Sequence, residues 1–189
     1  MTGKGAGTGR LEAFSDGVIA VIITILVLEL KVPAASGEAG LLAVLPALFL
    51  YLLTFVQIGI YWVNHHYLVE EAETVSHGIF WANLMFLFGL SLFPFATEWV
   101  GVKGLSSLTA ALYAAVSILP GLGYMALWTQ IRSTGAAASQ ISWGKQAASV
   151  LLYATAIPAA WYRPSASLAL IGIVALLWLL PPKSRSRRK

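Results

Sequence analysis

An arginine and an aspartate six residues apart open an otherwise apolar stretch: Arg10-Leu-Glu-Ala-Phe14-Ser15-Asp16 runs straight into Gly17-Val-Ile-Ala-Val21-Ile-Ile-Thr24-Ile25-Leu-Val-Leu28-Glu29. An ionisable side chain at the mouth of a lipid-buried helix is costly unless it is paired or faces water, so it marks a site. A second polar group, Trp62-Val-Asn64-His65-His66-Tyr67, precedes the acidic run Glu70-Glu71-Ala-Glu73. A third begins Ser76-His77-Gly78 and carries Asn83 about a turn and a half further on. Three chemistries are open to these groups. Metal binding by His65, His66 and His77 is disfavoured, because adjacent histidines point in different directions on a helix and no H-E-x-x-H spacing occurs. Hydrolysis by a His-Asp-Ser set lacks a nucleophile elbow and an evident oxyanion hole. Mutual satisfaction is the simplest use: Asp16 accepts from Arg10, from a histidine or from an indole N–H, and so fixes the first helix against the second and third. No enzyme, metal centre or cofactor is expected.

The elements that position these residues follow from composition. Of 189 residues, 58% are hydrophobic and only 11% charged, and the mean hydropathy is +0.78. A soluble domain of this size must cover its surface with more polar groups than that, so an all-α integral membrane protein is expected. The lack of cysteine excludes disulfides and thiolate metal sites. The net charge of +4 comes largely from the tail Lys183-Ser-Arg185-Ser-Arg187-Arg188-Lys189. Beside an apolar segment such a tail reads as an anchor to anionic membrane lipids rather than to nucleic acid. The segment after Arg10 is too long for a signal peptide and no small-residue cleavage pattern follows it.

Apolar windows long enough to cross about 30 Å of hydrocarbon recur at residues 11–30, 41–61, 78–97, 105–129, 147–162 and 165–180. Six transmembrane helices in one domain, residues 1–182, with a basic cytoplasmic tail at 183–189, are therefore expected. Arg163-Pro164 forces a tight turn between the last two. Pro33, Pro164 and Pro181 punctuate loops, whereas Pro46, Pro94, Pro120 and Pro158 are expected to kink helices or mark their ends. With the N-terminus inside, the cytoplasmic side collects Lys4, Arg10, Arg132, Lys145 and the five basic tail residues, and the other side only Lys31, Lys103 and Arg163. The positive-inside rule then places both termini in the cytoplasm of a multi-pass protein of the cell membrane. No internal repeat supports an inverted-repeat transporter.

Gly17, Val21, Ile25 and Leu28 share one face of the first helix, with Thr24 beside them. In lipid such a stripe is compatible with a plain packing seam. If several copies met around an axis, rings of Val, Ile and Leu would form a constriction that gates by dewetting, and Thr24 would add polarity.

The motif Arg10-x-x-x-Phe14-Ser15-Asp16, the following Gly-Val-x-Ala-x-x-x-Thr run and Leu28-Glu29, together with Trp62, Asn64-His65-His66 and Asn83, resemble the signature of the prokaryotic TMEM175 potassium channels, a DUF1211-type membrane family. The resemblance extends over nearly the whole chain. It implies a homotetramer with a pore lined by the first helix, potassium as the permeant ion, and no TVGYG-type carbonyl filter. It places the hydrophobic constriction at Val21, Ile25 and Leu28 and an ion-contacting hydroxyl at Thr24. Arg10, Phe14, Ser15 and Asp16 become a structural network with Trp62, Asn64, His65 and Asn83. The first constriction position is typically isoleucine in the family, so Val21 implies a slightly wider ring. Animal relatives carry two six-helix repeats, so this chain would have to complete its pore by oligomerising. Two rivals to a potassium-favouring channel are a proton-coupled or other secondary transporter, with Asp16 and His65 as a titrating relay, and a non-conducting membrane scaffold.

Overall fold

A computed structural model describes residues 6–135 and 143–179. The tail at 183–189 and Pro181-Pro182 lie outside the described residues. Within the described residues all regular structure is helical: α1 (Ala6–Leu28), α2 (Gly37–Glu70), α3 (His77–Ser91), α4 (Phe93–Lys103), α5 (Ser107–Ser133), α6 (Trp143–Tyr162) and α7 (Pro164–Leu179). Four stretches are long and apolar enough to cross a membrane, at residues 7–28, 37–70, 77–103 and 107–133, and α7 is a shorter apolar helix.

Among the described residues α3 and α4 together form one apolar stretch long enough to cross a membrane, the third in chain order, and α6 is not among the stretches of that length and apolarity. The expected helix at 78–97 breaks at Leu92, whose backbone stays near the helical region (φ −84°, ψ −12°), and Pro94 lies in the first turn of α4. Proline has no N–H for the preceding turn and its ring crowds that turn's carbonyl, so a break here costs least. The pass then continues to Lys103 rather than ending at residue 97, and Gly104 terminates it at φ +77°, a conformation that favours glycine. Pro46, Pro120 and Pro158 sit inside helices that stay continuous.

The second pass also outruns its expected end. Residues 62–70 continue α2 as helix, giving 34 residues or about 51 Å, so its last turns rise beyond about 30 Å of hydrocarbon. Nothing in His65–Glu70 stops a helix, and a solvated turn tolerates charge. Starts are set by side-chain caps: Ser76 Oγ accepts from Ile79 N at 3.2 Å, and Ser106 and Thr109 form a reciprocal capping box. At the α6–α7 turn Arg163 alone interrupts the helix. Its carbonyl accepts from Ala166 N at 2.9 Å, and Pro164 opens α7 where its missing N–H is no loss.

The main core cluster includes Ile19, Ile58, Phe86, Leu90, Tyr124, Leu127 and Ile171, with a small second cluster at Ala110, Ala111 and Ala160. The α3–α5 seam is its most closely packed line. A Cβ on Gly123 would stand 2.5 Å from Phe86 Cα, and one on Gly89 2.5 Å from Pro120 N. Glycine is required there because the two backbones nearly touch, and in lipid such close packing substitutes for hydrophobic driving force. Deep in the subunit a buried hydroxyl chain crosses between helices. Thr54 Oγ1 lies 2.9 Å from Thr97 Oγ1 and 2.7 Å from Tyr113 OH. Tyr113 donates to Gln57 Oε1 at 2.8 Å, and Gln57 Nε2 donates to Tyr153 OH at 3.3 Å.

Candidate functional site

Helix α1 has two opposed faces. Leu11, Ser15, Ile19, Ile22 and Leu26, spaced at helical intervals, are buried against the rest of the subunit. The opposite stripe is uncovered: Val21 is 55%, Ile25 43% and Leu28 71% exposed, with Gly17 and Thr24 on the same side. Thr24 Oγ1 donates to the Val21 carbonyl at 2.8 Å, which leaves its oxygen lone pairs free. This face borders an open groove of about 890 Å³, shared with Ser91, Pro94 and Phe95 at the α3–α4 break and lined also by Glu29 and Glu98. The break in the third pass thus shapes one wall of the groove.

The buried face is pinned by a directional hydrogen-bond chain. His65 Nε2 lies 2.7 Å from Asn83 Oδ1, which can only accept, so the histidine carries its proton on Nε2. Asn83 Nδ2 donates to Ser15 Oγ at 2.9 Å, and Ser15 Oγ donates to the Leu11 carbonyl at 2.8 Å. Ser15, His65 and Asn83 are wholly buried. The His65 ring stacks on Phe86 with centroids 5.2 Å apart. Nearer the surface, Trp62 Nε1 donates to Asp16 Oδ1 at 2.9 Å. One turn back on α1 and one turn onward on α2, His66 Nδ1 meets Glu12 Oε1 at 2.8 Å, and His66 Nε2 is 4.0 Å from Glu70 Oε2.

Of the residues expected to form the network, Ser15, Asp16, Trp62, His65 and Asn83 are brought together. Among the candidate acceptor partners of Asp16, the indole is the one the structure supplies. Arg10 is not joined to Asp16. Six residues carry a helix about 240° round and 9 Å along, and Arg10 instead borders a groove with Phe14, Phe80 and Asn83. Phe14 is half-exposed. Asn64 also stands apart, since two residues on from Trp62 it faces the other side of α2. Its Nδ2 donates to the Ile60 carbonyl at 2.7 Å and its own carbonyl accepts from Tyr124 OH at 3.1 Å. The Glu12–His66 pair was not anticipated; its signal was the antiparallel register that Asp16 and Trp62 already set. His77 accepts from Trp81 Nε1 at 2.8 Å. Among the described residues no three His, Cys, Asp or Glu side chains are grouped to hold a metal ion.

The fold and this site define a helical membrane protein whose first helix is locked on one face and left open on the other. The family described as endosomal/lysosomal potassium channel TMEM175 matches residues 10–94. A potassium channel of Chryseobacterium sp. is 41% identical over 180 residues, covering 93% of this chain and 94% of that protein. A potassium channel of Streptomyces collinus is 38% identical over 136 residues, covering 68% of this chain and 66% of its own length. The crystal structure of a lysosomal potassium-selective channel TMEM175 homolog from Chamaesiphon minutus superposes with a TM-score of 0.74 at 26% identity, covering 91% of this chain and 96% of that one. The chain belongs to the TMEM175 family.

Proposed function

We propose that four copies of this chain assemble into a potassium-favouring ion channel, with their α1 helices around a common axis and passive cation conduction between them. The observation that carries this reading is the uncovered stripe on a helix that its own subunit otherwise grips. Around a four-fold axis, Val21, Ile25 and Leu28 would stack as three apolar rings able to gate by dewetting, and Thr24 would offer hydroxyl oxygens between them. The relatives named as potassium channels support potassium as the permeant ion, and no cofactor is called for. Ser15, Asp16, Trp62, His65 and Asn83 act as the clamp that sets the rotation of α1, so that Asp16 is structural rather than ion-selecting. The Lys and Arg distribution favours both termini in the cytoplasm of a cell-membrane protein, with the 183–189 tail against anionic lipids.

Reconstitution of the full chain in a bilayer under opposed potassium and sodium gradients tests the reading. Currents reversing close to the potassium equilibrium potential are expected, at rates far above those of a carrier. Slow, turnover-limited flux coupled to a proton gradient would replace the channel by a transporter, and no flux from intact tetramers would leave a scaffold.

A further inference from the structure

A cavity of about 30 Å³ lies among α2, α5, α6 and α7, away from the α1 face and its groove. Its wall is mostly apolar, but Gln57, Asn64, Gln146, Ser149, Tyr153 and Trp178 bring hydrogen-bonding groups to it. Most of that capacity is used within the protein. Trp178 Nε1 donates to Ser149 Oγ at 2.8 Å, and Ser149 Oγ donates to the Lys145 carbonyl at 2.8 Å. Gln57 Nε2 donates to Tyr153 OH. Gln146 is the exception: it is 7% exposed, and its Nε2 has no hydrogen-bond partner among the described residues.

A buried amide N–H is costly to leave unpaired, and buried polar groups are satisfied by protein or by ordered water. We propose that this cavity is a permanent hydration site, holding one or two water molecules that accept from Gln146 Nε2 and donate to the remaining lone pair of Ser149 Oγ. Two features select water. The volume exceeds the roughly 10–15 Å³ that one water needs and leaves no room for a larger ligand. The unpaired atom is a donor, which repels a cation, and no carboxylate lines the wall. So placed, the water joins Gln146 in the first turn of α6 to Ser149 one turn on, whose Oγ already takes the Trp178 indole of α7.

Two measurements test this. A cryo-electron microscopy map of the wild-type protein at better than about 2.5 Å should hold a density peak within hydrogen-bond distance of Gln146 Nε2; an empty cavity at that resolution overturns the proposal. The substitution Gln146→Leu reads the same question by sign. With water bound, it removes a satisfied donor and strands the water, lowering the melting temperature in detergent by about 2–4 °C. In a dry cavity it deletes an orphaned polar atom, and an unchanged or raised melting temperature contradicts hydration.

Discussion

At Asn83 one amide joins three helices: it accepts from His65 on α2 and donates to Ser15 on α1, while its own backbone belongs to α3. Asp16 sits one residue further along, half-buried, and takes the Trp62 indole. Neither arrangement points the acid at the uncovered stripe of α1. Asp16→Asn keeps an acceptor for Trp62 but removes the charge, and charge-assisted hydrogen bonds are about twice as strong as neutral ones. A loss on the order of 1 kcal/mol is expected, read as a lower melting temperature or tetramer yield, with potassium-to-sodium reversal potentials unchanged in the channels that assemble. Lost cation preference in a stable tetramer would make Asp16 a selectivity ring instead. Ser15, Asp16, Trp62, His65 and Asn83 were legible in the sequence because polar side chains inside apolar helices must find one another. Arg10 and Asn64 make no hydrogen bond to that set here, because proximity along the chain is not proximity around a helix. The pairing of Glu12 with His66 escaped notice because charges at helix ends are expected there and carry little signal.

At the scale of elements, the four long apolar stretches and the turn at Arg163-Pro164 could be read from apolar windows and prolines, and six helical units fit the fold. The windows failed where hydropathy and helicity part company. The last turns of α2 are polar yet helical, and the third pass runs on past residue 97 because Pro94 shifts the helix without ending it. The α3–α5 seam was not legible, since a glycine's need for space depends on what stands opposite. Gly123→Ala should force the Phe86 backbone away and cost about 1–3 kcal/mol, lowering the melting temperature. Gly172→Ala, where a new Cβ meets nothing within 4 Å, should leave it nearly unchanged. Equal effects of the two would mean that the α3–α5 approach is looser than the structure has it.

Across the whole molecule, the division of α1 into a gripped face and a free face is what connects fold to function. Buried positions at helical spacing hold α1 to the rest of the chain, and the remaining stripe meets only a groove, which leaves it for the other copies of the proposed tetramer. Because the sequence contains no cysteine, a thiol can be placed on that stripe without a competing one elsewhere. Tetramers carrying Ile25→Cys or Leu28→Cys would bring four thiolates around the proposed axis, a soft ligand set for Cd²⁺. Val27, also exposed but off the stripe, serves as the control. Potassium current measured before and after Cd²⁺ should be almost abolished at Ile25→Cys and Leu28→Cys, and should persist at Val27→Cys. Full current through Cd²⁺-treated, assembled Ile25→Cys and Leu28→Cys channels would contradict a pore lined by this face of α1.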